Sequence, residues 1–153
     1  MSIHQIATET APGVFHLKDW GTQISQSILN ELMEHAQKNI NHKARLCLHP
    51  TPKEILQVTY LAFFRPYKDK IHKHPDFITV IKPIFGEAKF STFGDNGLLL
   101  STTWISGTSF LTISTPINTW HSIEVESETF TMLEIGLGPF SENSTINMVY
   151  NPD

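Results

Sequence analysis

Three of the eight histidines in this chain are spaced so that their side chains can act together: His72, His74 and His121. His72 and His74 are separated by one residue. In an extended chain that spacing puts both imidazoles on one face, where two ring nitrogens can chelate a metal without backbone strain. His121 follows the turn-forming run Pro116-Ile117-Asn118 and shares a face with Ile123 and Val125, so it should point toward an apolar interior. A buried imidazole needs a partner, because an unpaired buried polar group costs about 1–3 kcal/mol. A metal is one such partner and a hydrogen bond is another. Spacing alone leaves both open, and also the reading of His72 and His74 as exposed loop residues beside Lys70 and Lys73.

Other polar residues fall on apolar faces. Glu134 alternates with Phe130 and Met132. A carboxylate there lies either at an exposed strand end or in a pocket. In a pocket it can orient a histidine, act as a general acid/base with a raised pKa, or ligate a metal. Arg45, Cys47 and His49 share one face of a short alternating stretch. The fork of Arg45 suits a carboxylate or phosphate; an exposed edge strand is the alternative. Gln57 and Tyr60 are three apart and cannot both face inward from a regular strand. Trp120 points away from His121 and reads as packing. Cys47 alone makes no case for a nucleophile. The chain has no G-x-S-x-G, no glycine-rich phosphate loop and no C-x-x-C, so those chemistries are set aside.

The bulk numbers set the frame. The 153 residues fit one domain, with 40% hydrophobic and 17% charged residues, a globular composition. A net charge of -4 argues against a nucleic-acid partner. The single cysteine cannot form an intrachain disulfide, which suits a reducing compartment. The first residues lack a basic start followed by an apolar run, and the apolar stretches are too short to span a bilayer. The expectation is a soluble, cytoplasmic protein with no membrane partner.

The elements that must position the histidines can be read from periodicity. Residues 1–21 mix Pro12, Gly13 and Gly21 with single aromatics and read as an arm that can carry one short strand. Residues 24–38 read as a helix, since Ile24, Ile28, Leu32 and Ala36 recur every four residues. Thr22 or Ser25 can cap it, and Asn39 or Asn41 can stop it. After residue 43 the period becomes two. Strands are expected at 44–49, 55–64, 77–85, 87–93, 98–104, 110–114, 119–125 and 129–135. Pro83 argues for a bulge or an edge, and Gly94-Asp95-Asn96-Gly97 for a hairpin. One helix and about eight strands suggest a sandwich or closed barrel.

These segments resemble a known family. The spacing around His72-Lys73-His74 resembles the first cupin motif, G-(x)5-H-x-H-(x)3–4-E-(x)6-G, with Pro66 at the first glycine and Gly86 at the last. Pro116 to His121 resembles the second motif, P-x-G-x-x-H, with Asn118 in place of glycine. Asn tolerates the left-handed conformation that such a turn requires. Residues 44–50, Gln57, His72–Pro75, Thr119–His121 and Glu134–Phe140 follow the order typical of the WbuC family of cupin-fold metalloproteins, over about residues 24–142. The resemblance implies a mainly β fold, a double-stranded β-helix or jelly-roll barrel (about 44–140) after one N-terminal helix, forming a single domain over 22–153. It also implies one divalent metal on His72, His74 and His121, and makes Arg45, His49 and Gln57 candidate contacts for a small-molecule ligand. Family members often accompany genes for surface-polysaccharide sugars, and cupins commonly pair as homodimers through barrel strands or an N-terminal arm.

One departure bears on the metal. The motif's glutamate is Thr79 here. Its hydroxyl can hold a metal-bound water, or it is an ordinary β-branched strand residue. Three neutral imidazoles without a carboxylate favour Zn, Fe or Ni over Mn or Mg; the lost ligand also admits a metal-free cupin. Three functions follow: a metal-dependent isomerase, epimerase or Fe(II) oxygenase acting on a sugar-like or sugar-nucleotide-like substrate; a non-catalytic binding module; or a structural dimer with a vestigial site.

Overall fold

The structure is a computed structural model, and it describes residues 1–149. The expected domain limit at 153 lies outside the described residues. The chain opens with a four-residue helix α1 (Ile3–Ile6) and the strands β1 (Ala7–Ala11) and β2 (Val14–Leu17), followed by helix α2 (Gln26–Lys38). Ten further strands follow: β3 (Lys43–Cys47), β4 (Leu56–Phe64), β5 (His72–Lys73), β6 (Thr79–Phe85), β7 (Glu87–Phe93), β8 (Leu99–Ser106), β9 (Ile113–Thr115), β10 (Trp120–Val125), β11 (Thr129–Leu137) and β12 (Ile146–Asn147). They form a seven-stranded sheet, β1-β2-β3-β4-β11-β6-β9, and a five-stranded sheet, β12-β5-β10-β7-β8.

Alternation along the strands divides the interior into two cores. Ala44, Leu46 and Ala62 turn to the outer face of the first sheet, where they pack with Ile28, Leu32 and Ala36 of α2 and with Phe15 and Leu17 of β2. Leu61, Phe63, Phe130 and Met132 turn the other way and meet Ala88, Phe90, Ile105, Ile123 and Val125 of the second sheet inside the barrel. Burying each large apolar side chain is worth about 1.5–3 kcal/mol. A one-residue slip of β4 would exchange its two faces, so both cores fix its register. Along β3 and β4, Lys43, Arg45, Cys47, Gln57 and Thr59 share the inward parity and line a cavity.

The helix begins two residues later than expected. Ser25 is its N-cap, with its Oγ bonded to Ser27 Oγ at 2.7 Å, and Asn39 is its C-cap. Asn39 Nδ2 donates to the carbonyls of Pro12 and Lys43, which ties the helix end to β3. Pro83 sits where the β11–β6 register shifts, beyond the reach of β9, which pairs only with Thr79–Ile81. Proline's missing N–H is tolerated there. The hairpin at Gly94–Gly97 forms, with Gly97 at φ +77°. In 110–114 only Ile113 onward is strand, and Phe110 is fully exposed.

Residues 1–21, expected as an arm, are instead built into the first sheet. β1 and β2 form a hairpin around Gly13 (φ +71°), and β2 runs parallel to β3. Phe15 and Leu17 alternate with His16, a period-two pattern too short to stand out in the sequence. Among the described residues, no helix is long and apolar enough to cross a membrane.

Candidate metal centre and its cavity

His72 lies on β5 and His121 on β10, and they are direct partners across the two strands. His74 follows β5, and its carbonyl accepts the Asn118 N–H at 2.8 Å. Asn118 adopts φ +59°, the left-handed turn expected of it, so the turn between β9 and β10 is fastened to the H-x-H segment. The ligating atoms of His72, His74 and His121 all lie within 4.8 Å of one another, with ring centroids 4.3–5.3 Å apart. Phe77 stacks on His74 and Phe90 on His121, which restricts both rings.

The hydrogen bonds of the three rings follow one pattern. His72 Nδ1 donates to the Lys70 carbonyl at 2.8 Å, His74 Nδ1 to Ser144 at 3.0 Å, and His121 Nδ1 to Thr119 at 2.8 Å. A carbonyl only accepts, so each Nδ1 carries the proton and each neutral ring keeps its Nε2 lone pair free. Burial lowers the pKa of His74 and, with help from the His72 charge, brings His121 down to about 4. Both rings are therefore neutral near pH 7, as a metal ligand must be. The donor set fits a divalent transition metal. When bound, such an ion would polarise a ligand oxygen or activate a water.

A second cluster, His16, Cys47 and His49, brings its ligating atoms within the same limit but has different chemistry. His49 Nδ1 accepts the Val58 N–H at 3.2 Å, so the neutral ring carries its proton on Nε2 and offers no lone pair there. Burial also raises the Cys47 thiol, which keeps it protonated. This cluster suits hydrogen bonding better than metal binding.

Both groups line one cavity of about 420 Å³, together with Arg45, Gln57, Asp69 and Glu134. That size suits a small-molecule site. Gln57 is buried, and its amide donates to the carbonyls of Pro52 and Glu54, leaving its Oε1 as the free group. Tyr60 faces the helix side, as the odd spacing requires. Glu134 lines the cavity but is outside the group of converging ligating atoms, so its place as a replacement ligand is not supported by the geometry. Thr79 is the other departure. It is 1% exposed, its Oγ1 has no hydrogen-bond partner among the described residues, and it is absent from the cavity lining. Phe77 and Ile81 line the wall instead.

Sequence reasoning passed over Lys43, Tyr67, Asp69 and the segment 144–147. Lys43 has the parity of Arg45, which was signal enough to include it. Ser144, by contrast, reaches His74 across seventy residues, and nothing local announces that contact.

No protein-family model matches the chain, and no curated protein does. Solved structures do. CapF in complex with the inhibitor 3-isopropenyl-tropolone superposes with a TM-score of 0.62 at 16% identity, over 72% of this chain and 33% of that one. The capsular polysaccharide assembling protein CapF from Staphylococcus aureus gives 0.62 at 14% identity, over 72% and 32%. Oxalate decarboxylase from Bacillus subtilis gives 0.55 at 20% identity, over 69% and 27%. The chain thus spans about a third or less of the length of these proteins. Shared architecture at such low identity establishes the fold alone, and the chain is a mainly β protein with the cupin fold.

Proposed function

We propose that this chain is a metal-binding cupin of the WbuC type, holding one divalent transition metal on His72, His74 and His121 and receiving a small polar ligand in the barrel mouth. One observation carries the reading: all three rings are pinned through Nδ1 to backbone carbonyls, so three Nε2 atoms are free at one place. With Thr79 in the glutamate position and Glu134 outside the group, the donors are all imidazole, which favours Zn, Fe or Ni over Mn or Mg. A sugar-like or sugar-nucleotide-like ligand is in keeping with the likeness to a capsular polysaccharide assembling protein.

Arg45, His49 and Gln57 are the ligand contacts in this reading. Glu134 is the acid/base candidate, since it lines the cavity and, among the described residues, none of the ion pairs within 4.0 Å engages it. The homodimer is part of the proposal too. Edge strand β8 exposes Leu99, Leu100 and Trp104, and residues 98–110 carry no charge that a second copy would repel. Sedimentation velocity tests it, and a monomer at all concentrations would sink it.

Elemental analysis of protein purified anaerobically without a histidine tag tests the metal. About one equivalent of Zn, Fe or Ni per chain, lost in His72→Ala, is the expected result. Metal-free protein even after reconstitution would overturn the reading.

A further inference from the structure

The same cavity has a second polar wall, cationic, which meets the three histidines through Asp69, whose Oδ2 lies 3.7 Å from His72 Nδ1. Lys43 and Arg45 are two residues apart on β3, on the face that lines the cavity. Lys43 Nζ donates to Tyr67 Oη at 3.2 Å and lies over the rings of Phe63 and Tyr67, 5.2 and 5.5 Å from their centroids. Tyr67 Oη in turn donates to Asp69 Oδ1 at 2.9 Å. The phenol's one hydrogen is thereby committed, and its oxygen remains the acceptor that holds the ammonium in place. An ammonium has three donors and a guanidinium five. Lys43 uses one of its donors on the protein. Among the described residues, Arg45 makes no side-chain hydrogen bond, and the ion pairs within 4.0 Å include neither cation.

Lys43 is half-buried and Arg45 exposed where β3 lines the cavity, so both present free donors to an anion that enters it. Burial and the Arg45 charge both act against the Lys43 cation. The other formally charged residues of the lining are Asp69 and Glu134. These two cations and two carboxylates cancel, so a divalent ion held at the histidines would add two positive charges to the cavity. A ligand carrying two negative charges restores neutrality.

We propose that Lys43 and Arg45 form an anion-binding subsite, so that the cavity takes a small dianion, a dicarboxylate or phosphate monoester. This deepens the reading above by naming the ligand's charge class; the cation pair itself needs no metal.

Calorimetric titration of the full chain with inorganic phosphate and with succinate tests it, using metal-loaded and metal-stripped protein and succinamide as the neutral control. Both anions should bind in either state, and succinamide should not. Lys43→Met and Arg45→Met should each weaken anion binding by about tenfold or more, as expected for a lost hydrogen bond to a charged group. Absence of anion binding to the wild type, or undiminished binding in both variants, overturns the proposal. Binding confined to metal-loaded protein and indifferent to Lys43 and Arg45 would place the anion on the metal, sinking the subsite while sparing the metal reading. Binding through the pair in a chain that never retains metal would do the reverse. Should either variant fail to fold, phosphate titration of the wild type followed by the side-chain ¹⁵N resonances of Lys43 and Arg45 decides: both should shift, and unmoved signals overturn the proposal.

Discussion

The ring of His74 is held by the carbonyl of Ser144, 3.0 Å from its Nδ1 and seventy residues further along the chain. The segment after β11 thus returns to orient a residue of the H-x-H pair. Ser144 Oγ accepts the Ser141 N–H at 2.7 Å, closing the turn that presents that carbonyl, and β12 then pairs with β5 beside His72. Ser144→Ala removes this side-chain bond, leaving the turn to the Ser144 N–H bond to the Ser141 carbonyl at 3.1 Å, without touching a ligating atom. Metal affinity should fall by about 10-fold, the lower end of the range for groups that orient a metal-binding histidine, as measured by competition with a chromophoric chelator. Unchanged affinity would show that the turn holds without its serine.

Metal removal should leave the fold standing. Neither core cluster contains His72, His74 or His121, and the sheets close around Phe63, Phe130 and Ile81 without them. Chelation should preserve the far-ultraviolet circular dichroism spectrum and lower the melting temperature. Adding metal back at a hundredfold excess over its Kd should restore about 2.7 kcal/mol. Unfolding on chelation would make the metal structural.

The metal-free protein should lose stability as pH falls from about 6.5 to about 4 because of His121. Burial, followed by the His72 charge, lowers its pKa to about 4 in the folded state, whereas the unfolded side chain titrates near 6.5. Between those values the unfolded chain binds the extra proton. The stability contributed by His121 is therefore complete above about 6.5, drains away through this window by up to about 3 kcal/mol, and levels off below about 4. Urea unfolding across this range should show the slope, and His121→Asn should flatten it. An equal slope in the variant would assign the loss to other groups.

Gly86 should tolerate no side chain. It sits at φ +75°, and a Cβ there would lie 2.0 Å from the Thr129 carbonyl oxygen, against backbone that cannot yield cheaply. Gly86→Ala should cost at least about 1–3 kcal/mol, the range for a strained backbone position, read as a lower urea midpoint at unchanged metal stoichiometry. A midpoint within error of the wild type would show that the β6–β7 turn can relax.

Much of the fold was legible because period and parity are local properties. The four-residue recurrence of Ile28, Leu32 and Ala36 specified α2, and the period-two stretches marked most of the longer strands. The same parity rule placed Arg45, Cys47 and His49 on one face, separated Gln57 from Tyr60, and turned His121 inward with Ile123 and Val125. Asn118 was expected in its left-handed turn because it stands at the glycine of the motif that residues 116–121 resemble, and asparagine tolerates that conformation.

Other features required the folded chain. β1 and β2 were read as an arm because a four-residue strand gains its stability from a neighbour, here β3 and the helix face, that short-range pattern cannot supply. Thr79 has the parity of Phe77 and Ile81 but is buried away from the cavity lining, since parity gives direction and says nothing of depth. The Lys43–Tyr67–Asp69 contacts and the Ser144 anchor join residues whose neighbours in sequence carry no trace of the meeting. The sequence by itself determined which residues could ligate and which faces were apolar. Only the tertiary structure decided which nitrogen of each imidazole is free, because that depends on carbonyls brought up by the turns of the folded chain.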